Sequence, residues 1–206
     1  RRRSNEDVLE HERAVHHTVD KFLPVVDDEA GPPLAKARTQ GDLDWDTFNA
    51  GWTRMVRRVV FGDAAAGDQT ISDMIIELRK AANWAFMHPK KTGLRSRFLA
   101  RIQGYLDRAE PGSLAAVAAS VPQSGDTMAN HQVPQWLFAF DAAGMATFRA
   151  LALLAAHPEQ AARARAELRS HPGIERQYLP FLRSTVLESL RLWPTTPAIL
   201  RQSTRA

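Results

Sequence analysis

The sequence predicts a fold that is mainly α with minor β. In successive segments the apolar residues recur at steps of three and four, which is the period of an amphipathic α-helix. Prolines and glycines separate these segments from one another. Alternation of apolar and polar residues, the period of a β-strand, is confined to the run through Ile199, Arg201 and Ser203. We therefore expect helices throughout and one strand near the end of the chain.

The helical elements can be placed in order along the chain. A first pattern covers residues 6–30, and we expect Pro32 and Pro33 to break the chain after it. A strongly amphipathic helix follows over residues 44–60, with Asp44 as its cap and Gly62 as its stop. Further helices are expected over residues 70–86, 94–108, 113–120, 133–156, 158–169 and 179–192.

Composition and charge restrict the class of protein. The chain of 206 residues is 44% hydrophobic and 24% charged, which is ordinary for a soluble globular domain. The net charge is +4, but arginines alternate with acids along helices, as in Glu159, Arg163 and Glu167. Such pairs are typical of a solvated helix face, so we expect no nucleic-acid partner. A moderately basic face would suit an acidic redox partner instead.

The sequence lacks both cysteine and a long uninterrupted apolar stretch, which further restricts the class of protein. The chain has no cysteine, which excludes disulfides and cysteine metal ligands within it. Charged residues interrupt every apolar stretch before it reaches the eighteen or so residues of a membrane span. We therefore expect no membrane span in this segment and a cytoplasmic location.

The segment over residues 133–156 is the most apolar of the chain. Gly144 and many alanines give it a small, flat surface, and we expect a helix that is apolar nearly all round to lie at the centre of the protein. His157-Pro158-Glu159 ends it and begins the next helix, because proline is favoured in the first turn.

The most specific motif lies in the last third of the chain. Leu179-Pro180 leads into a helix that carries Glu188 and Arg191, three residues apart and therefore on one face. A carboxylate and a guanidinium at this spacing can form a bidentate pair. Taken alone the motif is weak, since an exposed ion pair has the same sequence.

Taken in their order along the chain, these features resemble those of the cytochrome P-450 family of haem-thiolate monooxygenases. The resemblance is specific over residues 133–206 and looser over the helices between residues 44 and 108, where Phe61-Gly62 fits in order. The features that carry it are the helix Trp136–Ala156, His157-Pro158-Glu159, Leu179-Pro180, Glu188-x-x-Arg191, Pro194 and Arg201.

The resemblance implies a function and a set of partners. Residues 1–206 would be part of a single cytochrome P-450 domain that oxidises a hydrophobic small molecule at a haem iron. Electrons would come from a ferredoxin or a flavoprotein reductase. The axial cysteine is expected beyond Ala206, so the chain alone would be inactive and would hold no metal ligand of its own.

The resemblance also assigns roles to single residues. Glu188 and Arg191 would be structural, paired with each other and largely buried behind the haem. Arg201 would contact a haem propionate, although an exposed strand arginine is the alternative. The run Arg1 to Arg3 contains the candidates for the second propionate.

The central helix departs from the family pattern of an acid followed by two threonines. Spacing from His157-Pro158 places Asp141 at the acid, as the catalytic proton donor, and Ala142 and Ala143 at the threonine positions against the haem. A rival alignment uses Ala143-Gly144 and puts Thr147 at the alcohol position, four residues or about 6 Å further along the helix.

Two other functions remain open at this point. One is a haem-thiolate enzyme that uses peroxide or catalyses an isomerisation, because the usual hydroxyls are missing at Ala142 and Ala143. The other is a non-enzymatic helical module that binds a ligand on the same scaffold.

Overall fold

The computed structural model describes residues 22–83, 89–121, 128–171 and 179–195. Within these ranges the chain is helical, with a short 3-10 turn at Asp63–Ala65 and no strand. This confirms a mainly α protein, while the strand expected around Arg201 lies outside the described residues. The helices are α1 (Leu23–Gln40), α2 (Trp45–Phe61), α3 (Gln69–Asn83), α4 (Thr92–Arg108), α5 (Leu114–Ser120), α6 (Ala129–Ala156), α7 (Pro158–Ser170) and α8 (Pro180–Leu192).

The chain divides into two compact units, residues 1–140 and residues 141–206. Helix α6 begins in the first unit and ends in the second. The first unit contains α1 to α5, and the second contains α7 and α8. The expectation that all 206 residues belong to one domain stays a prediction.

The core of the first unit is formed by the apolar faces that the sequence predicts. Val60 of α2 and Ile102 of α4 are fully buried, and Phe61 stacks on Tyr105 with ring centroids 4.5 Å apart. Burial of such side chains is the main favourable contribution to folding. Their neighbours in this core include Met55, Val56, Val59, Ile71, Phe98, Leu106, Leu114 and Val133.

Helix α2 has the boundaries that its sequence predicts. The Asp44 carboxylate accepts a hydrogen bond from the backbone N–H of Thr47 at 2.6 Å, which is the capping interaction of a helix N-terminus. This hydrogen bond lowers the pKa of Asp44. The helix ends at Gly62, whose φ of +100° is unfavourable for other residues. The carboxylate of Glu110 lies where a Cβ at residue 62 would be, but this flexible side chain can move aside, so the positive φ is the reason for glycine there.

The expected break at Pro32 and Pro33 is wrong, because α1 continues through both prolines to Gln40. Interior prolines destabilise a helix on their own. Here α1 packs tightly on α2: the ring of Pro33 occupies the space that a Cβ would take at Gly51. Packing between the two helices therefore outweighs the local cost of the prolines.

A buried carboxylate also joins α1 to α2. Glu29, whose side chain is 7% exposed, forms ion pairs with Arg54 at 2.9 Å and with Arg58 at 2.7 Å. Arg58 also pairs with Asp63 and Asp28, and these hydrogen bonds, that to Asp63 first, raise its pKa. A buried charge with two partners satisfies its hydrogen-bonding capacity, as burial requires.

Helix α6 is less covered than its composition predicts. An 18-residue window of the helix has a mean hydropathy of 1.5, yet only 22% of that window is buried. Phe138 is 53% exposed and Leu151 is 44% exposed. Within the described residues, α6 is therefore less buried than the sequence analysis expects. By length and composition α6 is also a candidate membrane span, so the expected absence of a span is not confirmed.

Candidate functional site

The candidate site begins with three successive residues on α6. Asp141 and Ala142 are partly buried, and Ala143 is exposed. Successive residues on a helix are turned by about 100°, so the three side chains cover roughly half of the circumference. Because two of them are only methyl groups, the helix backbone lies close to the surface beside the carboxylate. Among the residues of α6 Asp141 is the only acid.

A buried serine attaches α8 to this helix one turn further along. The hydroxyl of Ser189 is fully buried and donates to the carbonyl oxygen of Ala146 at 3.0 Å. It also lies 2.8 Å from the carbonyl oxygen of Val186 on its own helix. Ala146 is 2% exposed, so α8 covers this turn of α6 while Ala143 remains open. The serine thus fixes the position of the Glu-x-x-Arg helix along α6.

A second contact fixes the end of α8. The Arg149 guanidinium on α6 donates to the carbonyl oxygen of Trp193 at 2.7 Å. That carbonyl follows the last residue of α8, where helix carbonyls lack partners within the helix. A cation is favourable at this end because the helix dipole is negative there.

A third contact supplies the cap of α8 from another helix. Both carboxylate oxygens of Glu167 on α7 accept backbone N–H groups at the start of α8, from Phe181 at 2.8 Å and from Leu182 at 2.9 Å. Leu179, the residue before the helix, makes no side-chain cap. The guanidinium of Arg163 lies 4.4 Å from the centroid of the Phe181 ring, which adds a cation–π contact between the same two helices.

Glu188 and Arg191 form the bidentate pair that their spacing predicts. The two nitrogen–oxygen distances are 2.7 and 2.6 Å, and this hydrogen bonding lowers the pKa of Glu188 and raises that of Arg191. The pairing is confirmed, but the expected burial is wrong for the described chain. The side chains are 47% and 68% exposed, because they project from the face of α8 opposite to the buried Ser189 side and no described element packs over them.

The remaining predicted site residues lie outside the described residues. These are Arg201, expected at a haem propionate, and Arg1 to Arg3, the candidates for the other. Sequence reasoning in turn missed Ser189, Arg149 and Glu167. A small polar residue inside the motif Glu-Ser-Leu-Arg was the available signal for Ser189, since a serine that faces inward needs a partner.

Ala142 and Ala143 are the residues that the sequence analysis expects to lie against a haem. Their two methyl groups lie next to the Asp141 carboxylate, and Ala142 is partly buried while Ala143 is exposed. The chain contains no cysteine, and the described residues contain no group of three side chains that could hold a metal ion. An axial thiolate would have to come from outside this sequence.

Comparisons with protein-family models, with curated proteins and with solved structures give no match for this chain.

Proposed function

We propose that this chain is part of a haem-thiolate monooxygenase of the cytochrome P-450 type, which oxidises a hydrophobic small molecule. The observation that carries the proposal is the arrangement of α6 and α8 within residues 141–195. A helix with a bidentate Glu188–Arg191 pair is hydrogen-bonded to α6 one turn after Asp141–Ala143. This arrangement joins the two motifs on which the resemblance to the family depends.

The contact between Ser189 and Ala146 also favours one of the two alignments of α6. In the rival alignment Ala146 takes the place of the acid, and that position is covered by α8. In the alignment that places the acid at Asp141, the three functional positions are partly or fully open to solvent. An oxygen-binding face requires access, so the open positions support the Asp141 alignment.

The proposal gives each of these residues a role. Haem, when bound, would supply oxygen activation for insertion into a carbon–hydrogen bond. Ala142 and Ala143 would contact the ring, and Asp141 would exchange protons with water at that face. Arg201 would bind a propionate, and the Glu188–Arg191 pair would hold the position of α8 against the polypeptide that carries the axial cysteine. A ferredoxin or a flavoprotein would supply the electrons.

The missing hydroxyls at residues 142 and 143 favour a refinement of this function. Threonine is the usual partner of the acid in the family, and Thr147 is six residues from Asp141 and therefore off its face. A hydroxyl of the substrate would complete the proton path beside Asp141. The second candidate, a peroxide-driven enzyme, would need no such path. Ala142→Thr and Ala143→Thr distinguish the two candidates. In the first, the substitutions should change the amount of product formed per NAD(P)H consumed, whereas a peroxide-driven enzyme forms product without NAD(P)H.

The proposal is tested on the protein encoded by the complete reading frame. We expect stoichiometric haem. After chemical reduction and addition of carbon monoxide, we expect the absorption spectrum of a thiolate-ligated iron. Glu188→Ala should abolish the haem-loaded protein, whereas Arg183→Ala, which removes an exposed arginine from the same helix, should leave haem content unchanged. A complete reading frame that encodes no haem-binding cysteine would refute the proposal. Normal haem content in Glu188→Ala would refute it as well.

A further inference from the structure

A notch on the exposed face of α4 is lined by two arginines. Arg101 and Arg108 are seven residues apart and so lie on one side of the helix, with Gly104 and Tyr105 between them. Together these four residues line a cavity of about 330 Å³. It belongs to the first unit and contains none of the candidate-site residues on α6 and α8.

The two arginines differ in how their charges are compensated. Arg101 donates from Nε and Nη2 to Asp68 at 2.6 and 2.7 Å, so its charge is paired with a carboxylate. The guanidinium of Arg108 lies 4.3 Å from the centroid of the Tyr105 ring and forms no ion pair with a described carboxylate. The two arginines and Asp68 therefore carry a net charge of one positive unit.

Gly104 leaves the notch open, although neither the backbone conformation nor the packing requires a glycine at this position. Its backbone has ordinary helical geometry, and a Cβ built on it would meet nothing within 4 Å. Glycine in a helix interior is less favourable than alanine, so this position weakens α4 without relieving a clash. The gain is space between Arg101 and Arg108 on the surface of the helix.

We propose that this notch binds the phosphate group of a phosphate monoester. Two guanidinium groups that line one notch suit a tetrahedral anion, whereas a planar carboxylate is satisfied by one bidentate arginine. Tyr105, whose hydroxyl donates to Asp68 at 2.6 Å, holds its ring beneath Arg108 and so orients that guanidinium. The cavity is large enough for the phosphate and the first atoms of its ester.

A phosphate monoester can be a soluble metabolite or a lipid headgroup, and two probes distinguish these sources. Glycerol 3-phosphate is titrated calorimetrically into the chain, and vesicles of phosphatidylcholine with and without phosphatidic acid are tested by co-sedimentation. Binding of glycerol 3-phosphate indicates a soluble ligand. Binding only to vesicles that contain phosphatidic acid indicates a headgroup. Succinate is the control for an anion of similar charge.

Three variants test whether the notch is responsible. Arg108→Gln removes hydrogen bonds to a charged group, and Gly104→Leu fills the space that the phosphate would occupy. Each variant should weaken binding by about tenfold or more. Arg95→Gln removes an exposed arginine of the same helix outside the notch and should change affinity by less than about twofold, because distant exposed charges are screened. Far-ultraviolet circular dichroism checks that each variant folds. The proposal is wrong if neither probe binds, if succinate binds equally well, or if the Arg95 variant loses as much affinity as the other two.

Discussion

The hydroxyl of Ser189 is buried between two helices and donates a hydrogen bond to the backbone carbonyl oxygen of Ala146, 43 residues earlier in the chain. That carbonyl lies in α6, close after the acid and the two alanines of the candidate site. The serine stands between Glu188 and Arg191, so one residue of the motif faces the protein while the charged pair faces solvent. One of the contacts that hold α8 on α6 therefore comes from a side chain that carries no charge, in addition to the contact from the Arg149 guanidinium.

Ser189→Ala should destabilise the unit of residues 141–206. Loss of one buried hydrogen bond costs about 1 kcal/mol, and the carbonyl of Ala146 keeps its partner within α6. We expect a lower midpoint in chemical denaturation and faster amide hydrogen exchange in α8. Ser184→Ala is the matched control, because its exposed hydroxyl contacts only a carbonyl of its own helix. Equal stability of the two variants would show that Ser189 does not fix α8.

Glu167→Ala should expose the start of α8. Its carboxylate accepts two backbone N–H groups that have no partner within the helix, so removing it should cost about 1–2 kcal/mol. Hydrogen exchange at the amides of Phe181 and Leu182 should accelerate, and this local readout separates lost capping from general destabilisation. Glu159→Ala removes an exposed acid from the same helix and should leave exchange at these two amides unchanged. Unaltered exchange in Glu167→Ala would contradict the capping role.

The sequence predicts helices well where the signal is local. The cap at Asp44, the stop at Gly62 and the proline start of α7 depend on neighbours within a few residues, and the structure has all three. The break at Pro32 and Pro33 was a local inference too, but α1 is held by contacts with α2 that no local pattern contains. Propensity is overridden where tertiary packing is strong.

The same difference between local signals and long-range packing applies to the candidate site. Pairing of Glu188 with Arg191 follows from a spacing of three on one helix, and it is present. Their burial depends on what packs over α8, which the spacing does not specify. The contacts of Ser189 and Glu167 join residues 14 to 43 positions apart in sequence, and a single sequence contains no signal for such pairs beyond an inward-facing polar residue.

Gly51→Ala should test the packing that keeps α1 helical through its prolines. A Cβ at residue 51 would overlap the Pro33 ring and lie 3.2 Å from the carbonyl oxygen of Glu29. Overpacking of this kind costs about 1–3 kcal/mol, which exceeds the gain from replacing a helical glycine. We expect a net loss of stability in thermal and urea denaturation.

A double-mutant cycle identifies the cause of that loss. Pro33→Ala removes the ring that the new methyl group would meet, so Gly51→Ala should cost less in the Pro33→Ala background than in the wild type. Gly31→Ala is the control for glycine replacement, because it lies in the same helix pair and a Cβ there meets nothing within 4 Å. Additive effects of the Gly51 and Pro33 substitutions would exclude the proposed contact.

Asp68 should make the stability of the chain depend on pH in the acid range. Its side chain is 7% exposed, and its carboxylate accepts hydrogen bonds from Arg101 at 2.6 and 2.7 Å and from the Tyr105 hydroxyl at 2.6 Å. Burial disfavours the charged form, but the hydrogen bonds from Arg101 and Tyr105 outweigh it and lower the pKa of Asp68 below its ordinary value of 3.8. An acid with a lowered pKa stabilises the folded state above its unfolded pKa, and this contribution is lost as the pH falls through the folded pKa.

Asp68→Asn should therefore cost about 2 kcal/mol at neutral pH, since hydrogen bonds to a buried charged group are lost or weakened. The difference in unfolding free energy between wild type and this variant should shrink as the pH falls below the ordinary pKa of 3.8 and through the lowered folded pKa, because the wild type then loses the same contribution. At high pH the direction is opposite for Tyr105: burial, and then the hydrogen bond to Asp68, raise its pKa, so the stability that this shift contributes is fully present below the unfolded pKa and is lost as the pH rises through the raised folded pKa. Urea denaturation at closely spaced pH values measures both effects, with Asp107→Asn, an exposed acid on α4, as the control. A difference between wild type and Asp68→Asn that is constant across the acid range would show that the carboxylate of Asp68 is not the titrating group.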